Sequence, residues 1–215
     1  MTAFRGFAPV ALEFYRGLEA DNSRTYWQAH RDTYEQDVRG PMEALLGELT
    51  DDFGDAKVFR PNRDVRFSND KSPYKTHLGA YVPTAPATGW YLELSALGML
   101  TGAGFYHASS DGLAALRDRI DEEGEELAAI VTTLQEDDWR LGGETLKTAP
   151  KGWPADHPQI ALLRHKSLSV SRRIEDEVVY SAGLVERVRG DWDELRPLVE
   201  WVSPVLEGTG EPGRR

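Results

Sequence analysis

Apolar positions in the first fifty residues recur at helical spacing. Ala11, Phe14, Tyr15 and Leu18 fall at i, i+3, i+4 and i+7, one face of a helix. Asn22 or Ser23 is suited to cap a second helix carrying Tyr26, Trp27, His30, Tyr34 and Val38. Gly40-Pro41 predicts a kink or a restart, because proline lacks the N–H that a helix interior uses. Met42, Leu45, Leu46 and Leu49 then repeat the spacing. After Gly54 the period changes to two. Residues 57–67, 76–82, 90–97 and 99–107 read as strands, the first open to a break at Pro61. The connections SNDKSPYK and PTAPATG are too short for a parallel crossover, so antiparallel pairing is expected, with Gly98 at a tight reversal. Helices return with Asp111 as the expected cap for Leu113, Leu116 and Ile120, followed by Leu127, Ile130, Val131 and Leu134. Residues 140–158 read as loop, 158–165 as a short helix and 168–174 (LSVSRRI) as an edge strand. Two helices, 177–190 and 192–206, are expected after it, interrupted at Pro197.

Strands clustered between helical flanks predict an α+β fold rather than alternating βαβ units. The expected arrangement is one domain over residues 1–207. Its central antiparallel sheet, of about four to six strands, would draw on 57–107 plus the edge strand near 168–174, packed by N- and C-terminal helices. Residues 208–215 (GTGEPGRR) hold no apolar anchor and read as a disordered tail.

Composition narrows the function. Apolar residues make up 40% of the 215, enough for a sizeable core. The formal net charge of −11 opposes general binding to nucleic acid or to an anionic membrane. With no cysteine there are no disulfides, no thiol catalysis and no thiolate metal site. The N-terminal stretch lacks the basic start and continuous apolar run of a signal peptide, so a soluble cytoplasmic protein is expected.

The informative segment is 57–77, KVFRPNRDVRFSNDKSPYKTH. It holds six basic residues (Lys57, Arg60, Arg63, Arg66, Lys71, Lys75) against two acidic ones (Asp64, Asp70), a local balance of +4. A positive island in a negative chain attracts a small anion while the surrounding field discourages a polyanion. If 58–68 were an unbroken strand, Arg60, Asn62, Asp64, Arg66 and Ser68 would share one face, with Phe59, Val65 and Phe67 on the other. Such a ladder of guanidiniums suits bidentate binding of carboxylate or phosphate. Lys71, Lys75 and the Tyr74 hydroxyl would add to it from the loop. The competing structural reading is an ion-pair lattice among Arg63, Asp64 and Arg66 with solvated lysines.

The run Arg60-x-x-Arg63-Asp64-Val65-Arg66-Phe67-Ser68-x-Asp70-Lys71-Ser72-Pro73-Tyr74-Lys75-Thr76 resembles the signature of an uncharacterised family, domain of unknown function 2461. The resemblance extends through Leu18 to Arg24, Gly102-x-Gly104, Leu116-Arg117-x-x-Ile120, Leu146 to Gly152, Asp156-His157-Pro158 and Pro197-Leu198. Asp21 departs from the family's Asn-Asn pair, and Tyr26-Trp27 stand where Trp-Phe is usual. The resemblance implies kinship over most of the chain and carries no reaction with it.

Other candidates sit outside the island. Glu93 would share a strand face with Tyr91 and Ser95, and could orient Arg66 or act as a general base. Asp64 is a poor base beside guanidiniums, whereas Lys75 among like charges is a better proton-transfer group. Of five histidines, none in HxH or HExxH spacing, His77 alone is placed near the site. A metal site from His77, His107 and Glu93 is weighed and not adopted, and no metal or cofactor is expected. TGAGFY lacks the strand–turn–helix setting of dinucleotide binding, so Gly102 and Gly104 read as a close strand contact. The preferred function is binding of a small phosphate- or carboxylate-bearing ligand by Arg60, Arg63, Asp64, Arg66, Lys71, Tyr74, Lys75, His77 and Glu93. A catalytic step on that anion is compatible with such clamping, with no nucleophile assigned. The alternative is a non-catalytic module that docks an acidic protein through the same patch. Nucleic acid and membrane are not expected partners, and the oligomeric state is left open.

Overall fold

A computed structural model of the chain describes residues 3–66 and 70–209. The helices are α1 (Val10–Ala20), α2 (Arg24–Ala29), α3 (Arg31–Thr33), α4 (Gly40–Gly47), α5 (Thr50–Phe53), α6 (Ser110–Glu136), α7 (Ile160–Leu163), α8 (Asp176–Val179) and α9 (Leu184–Glu207). A π-helical stretch, Tyr34–Arg39, leads into α4. The strands are β1 (Lys57–Val58), β2 (His77–Ala85), β3 (Thr88–Ser95), β4 (Gly98–Phe105), β5 (Arg140–Gly142) and β6 (Leu168–Ile174). They form one antiparallel sheet in the order β1-β2-β3-β4-β6-β5. The fold is α+β, as the order of patterns predicts. Among the described residues, no helix is long and apolar enough to cross a membrane.

The chain divides into two compact units. The first comprises Met1–Val82, Tyr91–Thr101 and Arg173–Gly190. In it α1 buries Ala11, Leu12, Phe14, Tyr15 and Leu18, the expected face with Leu12 added. Ser23 caps α2, its Oγ accepting from the Tyr26 N–H at 3.1 Å. The continuous second helix is instead broken into α2, α3 and the π stretch. Pro41 offers no N–H to residue 37, and the Gly40 N–H reaches five residues back to the Glu35 carbonyl. Met42, Leu45, Leu46 and Leu49 are buried as their spacing predicts.

The second unit comprises Pro83–Trp90, Gly102–Arg172 and Asp191–Arg215. Three expectations are corrected here. The cap of α6 is Ser109, whose Oγ accepts from Gly112 N–H at 3.0 Å, rather than Asp111. Strand β6 is internal rather than an edge, because β5 pairs along its far side, Leu141 opposite Val170, while Gly102 and Gly104 let it approach β4 closely. A Cβ at Gly102 would stand 2.5 Å from the Val170 carbonyl oxygen, and one at Gly104 2.2 Å from that of Leu168. The break at Pro197 is absent: α9 runs through both Pro197 and Pro204. An interior proline costs about 3 kcal/mol. Trp192, Leu195, Leu198, Val199, Trp201 and Val202 are all buried on this stretch, at about 1.5–3 kcal/mol each, so a continuous apolar face outweighs it. Of the expected tail, residues 210–215 lie outside the described residues.

Candidate functional site

The positive island folds as a hairpin that begins as a ladder and then slips. Lys57 pairs with Tyr81 and Val58 with Ala80, and the Phe59 N–H donates to the Gly79 carbonyl at 2.9 Å. The next bridge joins Asn62 to Tyr74, flanked by Lys75 N–H to the Pro61 carbonyl at 2.8 Å and Arg63 N–H to the Pro73 carbonyl at 2.9 Å. Between the two stretches, Lys75, Thr76, His77 and Leu78 stand opposite Arg60 and Pro61 alone. Two surplus residues make a bulge, which re-aims side chains. Pro61 and Pro73 have no N–H to continue the ladder.

The strand expected over 57–67 is therefore only Lys57–Val58, and the one-face ladder of Arg60, Asn62, Asp64 and Arg66 does not form. Phe67 and Ser68, expected on opposite faces of it, lie outside the described residues.

The hairpin is held from the turn between α1 and α2. Asn22 Nδ2 donates to the Tyr74 carbonyl at 3.0 Å, and its Oδ1 accepts from the Tyr74 N–H at 3.2 Å. Trp27 stacks on the Tyr74 ring, centroids 4.3 Å apart and planes 11° from parallel. Tyr74, expected to offer its hydroxyl to a ligand, has its ring buried in this stack.

Several of the island's charges are spent on each other. Arg66 grips Asp64 through Nε at 3.0 Å and Nη2 at 2.6 Å, and its N–H donates to Oδ1 at 3.2 Å. These bonds hold the Asp64 carboxyl at about 2, below the usual carboxylate range. Arg63 pairs with Asp70, whose Oδ1 also accepts the Ser72 N–H at 2.9 Å and whose acidity rises chiefly through Ser72. Lys71 Nζ donates to the Val65 carbonyl at 3.0 Å. To that extent the ion-pair lattice is present.

Arg60 and Lys75 are different. Among the described residues, neither has a carboxylate within ion-pair distance. Lys75 Nζ lies 5.1 Å from the Phe59 ring centroid, a cation–π contact on a partly buried ammonium. Burial, and then the charge of Arg60, pushes this lysine below its usual range. Arg63, Asp64, Lys75, Thr76 and His77 line a cleft of about 310 Å³. Behind it, His77 Nε2 lies 3.9 Å from Glu93 Oε2, which accepts from the Tyr91 hydroxyl at 2.8 Å.

Of the nine candidates, Arg63, Asp64, Lys75 and His77 thus meet at the cleft. Arg60 acts electrostatically on both Lys75 and Asp64, and Glu93 stands one step behind His77. Arg66 and Lys71 are tied within the loop, and Tyr74 in the aromatic stack. The expected pairing of Glu93 with Arg66 is replaced by Glu93 with His77 and Tyr91, since Arg66 is committed to Asp64. Thr76, Tyr91 and the Asn22–Trp27 anchor join the site without a signal in the sequence that marks them as part of it. Tyr91 is within reach only of the period-two rule, which puts it on the face of Glu93. The described residues include no group of three or more His, Asp or Glu side chains placed to hold a metal ion.

Comparison with known proteins adds one finding: the family model described as a conserved hypothetical protein, DUF2461, matches residues 10–201. No curated protein and no solved structure matches the chain.

Proposed function

The chain belongs to the conserved hypothetical family DUF2461, and from the geometry of its bulged hairpin we propose that the protein binds a small phosphate- or carboxylate-bearing ligand in the cleft beside Lys75. One observation carries the reading. A partly buried ammonium, without a carboxylate partner among the described residues, sits on an aromatic ring at the wall of a cleft, and the charge of a second cation without such a partner, the exposed Arg60, acts on it. Two cations drawn together without a counter-ion raise each other's energy, and an anion between them relieves it. The Thr76 hydroxyl adds a neutral hydrogen-bond donor on the same wall. Negative charge over the rest of the chain keeps polyanions away. A cytoplasmic setting belongs to this reading, because phosphorylated and carboxylated metabolites are concentrated there.

Thermal denaturation against inorganic phosphate, pyrophosphate and small dicarboxylates tests it. A ligand at a hundredfold excess over Kd adds about 2.7 kcal/mol. For a chain of this size that raises Tm by roughly 5–10 °C. Absence of a shift from every anion would remove the reading.

A second reading, docking of an acidic protein segment, draws on the exposure of Arg66, 75% of whose side chain meets solvent. It predicts that Arg66→Ala abolishes binding of a poly-glutamate peptide while small anions leave Tm unchanged.

A further inference from the structure

His77 stands where the cleft meets the sheet. It opens β2, and it lines the cleft with Lys75 and Thr76. Its Nε2 faces Glu93 Oε2 at 3.9 Å, a separation that suits a charged pair and is too long for a hydrogen bond. The same oxygen is held by the Tyr91 hydroxyl, so the carboxylate is fixed before any proton arrives. Among the described residues the His77 ring makes no hydrogen bond, which leaves Nδ1 for a ligand. Histidine is the side chain whose charge changes between about pH 5 and 8.

We infer that His77 sets the charge class of the ligand: with the ring protonated the cleft takes a tetrahedral dianion, and with the ring neutral it loses that preference over a monoanion of the same shape. The inference rests on the anion-binding reading above and adds a proton to it.

The charges around the ring make the count. Arg63 and Asp64 line the cleft from the hairpin and Lys75 from the residues before β2, Arg60 acts on Lys75 and Asp64 through its charge, and Glu93 and Tyr91 stand on β3. Tyr15 of α1, close enough to sense the charge of Glu93, is held neutral by its burial. Arg63 is offset by Asp70 and Asp64 by Arg66. What remains is two cations, Arg60 and Lys75, against one carboxylate, Glu93. With a neutral imidazole the balance is +1 and matches a monoanion. With an imidazolium it is +2 and matches a dianion. Binding and protonation are then linked, and each strengthens the other by the same factor.

Sulfate and methanesulfonate test this, because both are tetrahedral, they differ by one charge, and neither titrates between pH 5.5 and 8. Isothermal titration of the wild-type protein should show sulfate binding about tenfold tighter at pH 5.5 than at pH 8, the factor that one unit of linked pKa shift carries. Methanesulfonate should change less than twofold. His77→Gln should leave sulfate affinity flat across that range. At pH 7, sulfate binding to the wild type should take up a fraction of a proton, read from its heats in two buffers of different ionisation enthalpy. That measurement needs no variant and holds if His77→Gln fails to fold. Sulfate affinity independent of pH, no proton uptake, or an unchanged pH profile in His77→Gln would overturn the role of His77 while leaving the cleft intact. Failure of both anions to bind at every pH would overturn the anion cleft and this inference together.

Discussion

The side-chain amide of Asn22 closes two hydrogen bonds on the backbone of Tyr74, donating at 3.0 Å and accepting at 3.2 Å across 52 residues of sequence. An amide side chain thereby completes a backbone pair where the hairpin ladder has slipped. Tyr74 immediately precedes Lys75, so the turn between α1 and α2 sets where the cleft's ammonium stands.

Asn22→Ala should therefore cost both stability and binding. Two net hydrogen bonds at about 0.5–1.5 kcal/mol each, with a buried backbone pair left unmet, predict a loss of about 1–3 kcal/mol. Denaturant unfolding reads the stability, and anion titration should show weaker affinity. Loss of stability with affinity unchanged would separate the anchor from the site.

Gly79 lies beneath the site, where a Cβ would stand 2.9 Å from the Tyr91 hydroxyl and 3.0 Å from the Phe59 ring. Gly79→Ala should destabilise by about 1–3 kcal/mol through overpacking. It also pushes on the ring under Lys75 and on the donor that holds Glu93, so anion affinity should fall with it. A variant as stable as wild type would show that Phe59 and Tyr91 give way freely.

Lys75 should show a conflict between stability and function. Its folded-state pKa is lowered by burial and by Arg60, so between that value and the ordinary one near 10.4 the unfolded chain binds more protons. Stability contributed by this residue then rises with pH across the window. Lys75→Met should flatten that rise and leave Tm at pH 7 unchanged or about 1–2 °C higher, while removing the anion-induced shift. A Tm several degrees lower would mean that the contact with Phe59 outweighs the cost of burial and of Arg60.

Asp64 gives a slope of the same sign in an acid window, here because its charged form is stabilised in the fold. Its carboxyl is held at about 2 by Arg66, so the pair's contribution is present above about pH 4 and is lost as pH falls towards 2. Asp64→Asn should flatten the Tm profile over that interval. Parallel profiles for variant and wild type would show the pair to be open in solution.

Burial that repeats every third or fourth residue is a local pattern, and the faces of α1 and α4 were legible for that reason. What the pattern missed was decided by distant partners. Pro197 reads as a break until the buried face of Trp192, Leu195 and Leu198 outweighs it. LSVSRRI reads as an edge until Arg140–Gly142, in a stretch that reads as loop, pairs along its far side as β5. At the site, the residue types and their positive balance were legible, but their partners were not. Period-two alternation would have put Arg60, Asp64 and Arg66 in line. The bulge opposite Arg60 and Pro61 redirects Lys75 and His77 to the cleft, and Arg66 closes on Asp64 two residues away. The Asn22–Tyr74 tie leaves no local trace, since nothing near either residue specifies the other.

The most direct test is isothermal titration of inorganic phosphate at pH 6.5 into the wild-type protein and into Arg60→Met, Lys75→Met and Arg66→Met. Saturable binding by the wild type is expected, at least about tenfold weaker in the Arg60 and Lys75 variants, a loss of about 1.4 kcal/mol each. Arg66→Met should bind within about twofold of wild type, because that guanidinium is already committed to Asp64. Wild-type affinity in Lys75→Met with binding abolished in Arg66→Met would contradict the account, as would a wild type that takes up no phosphate.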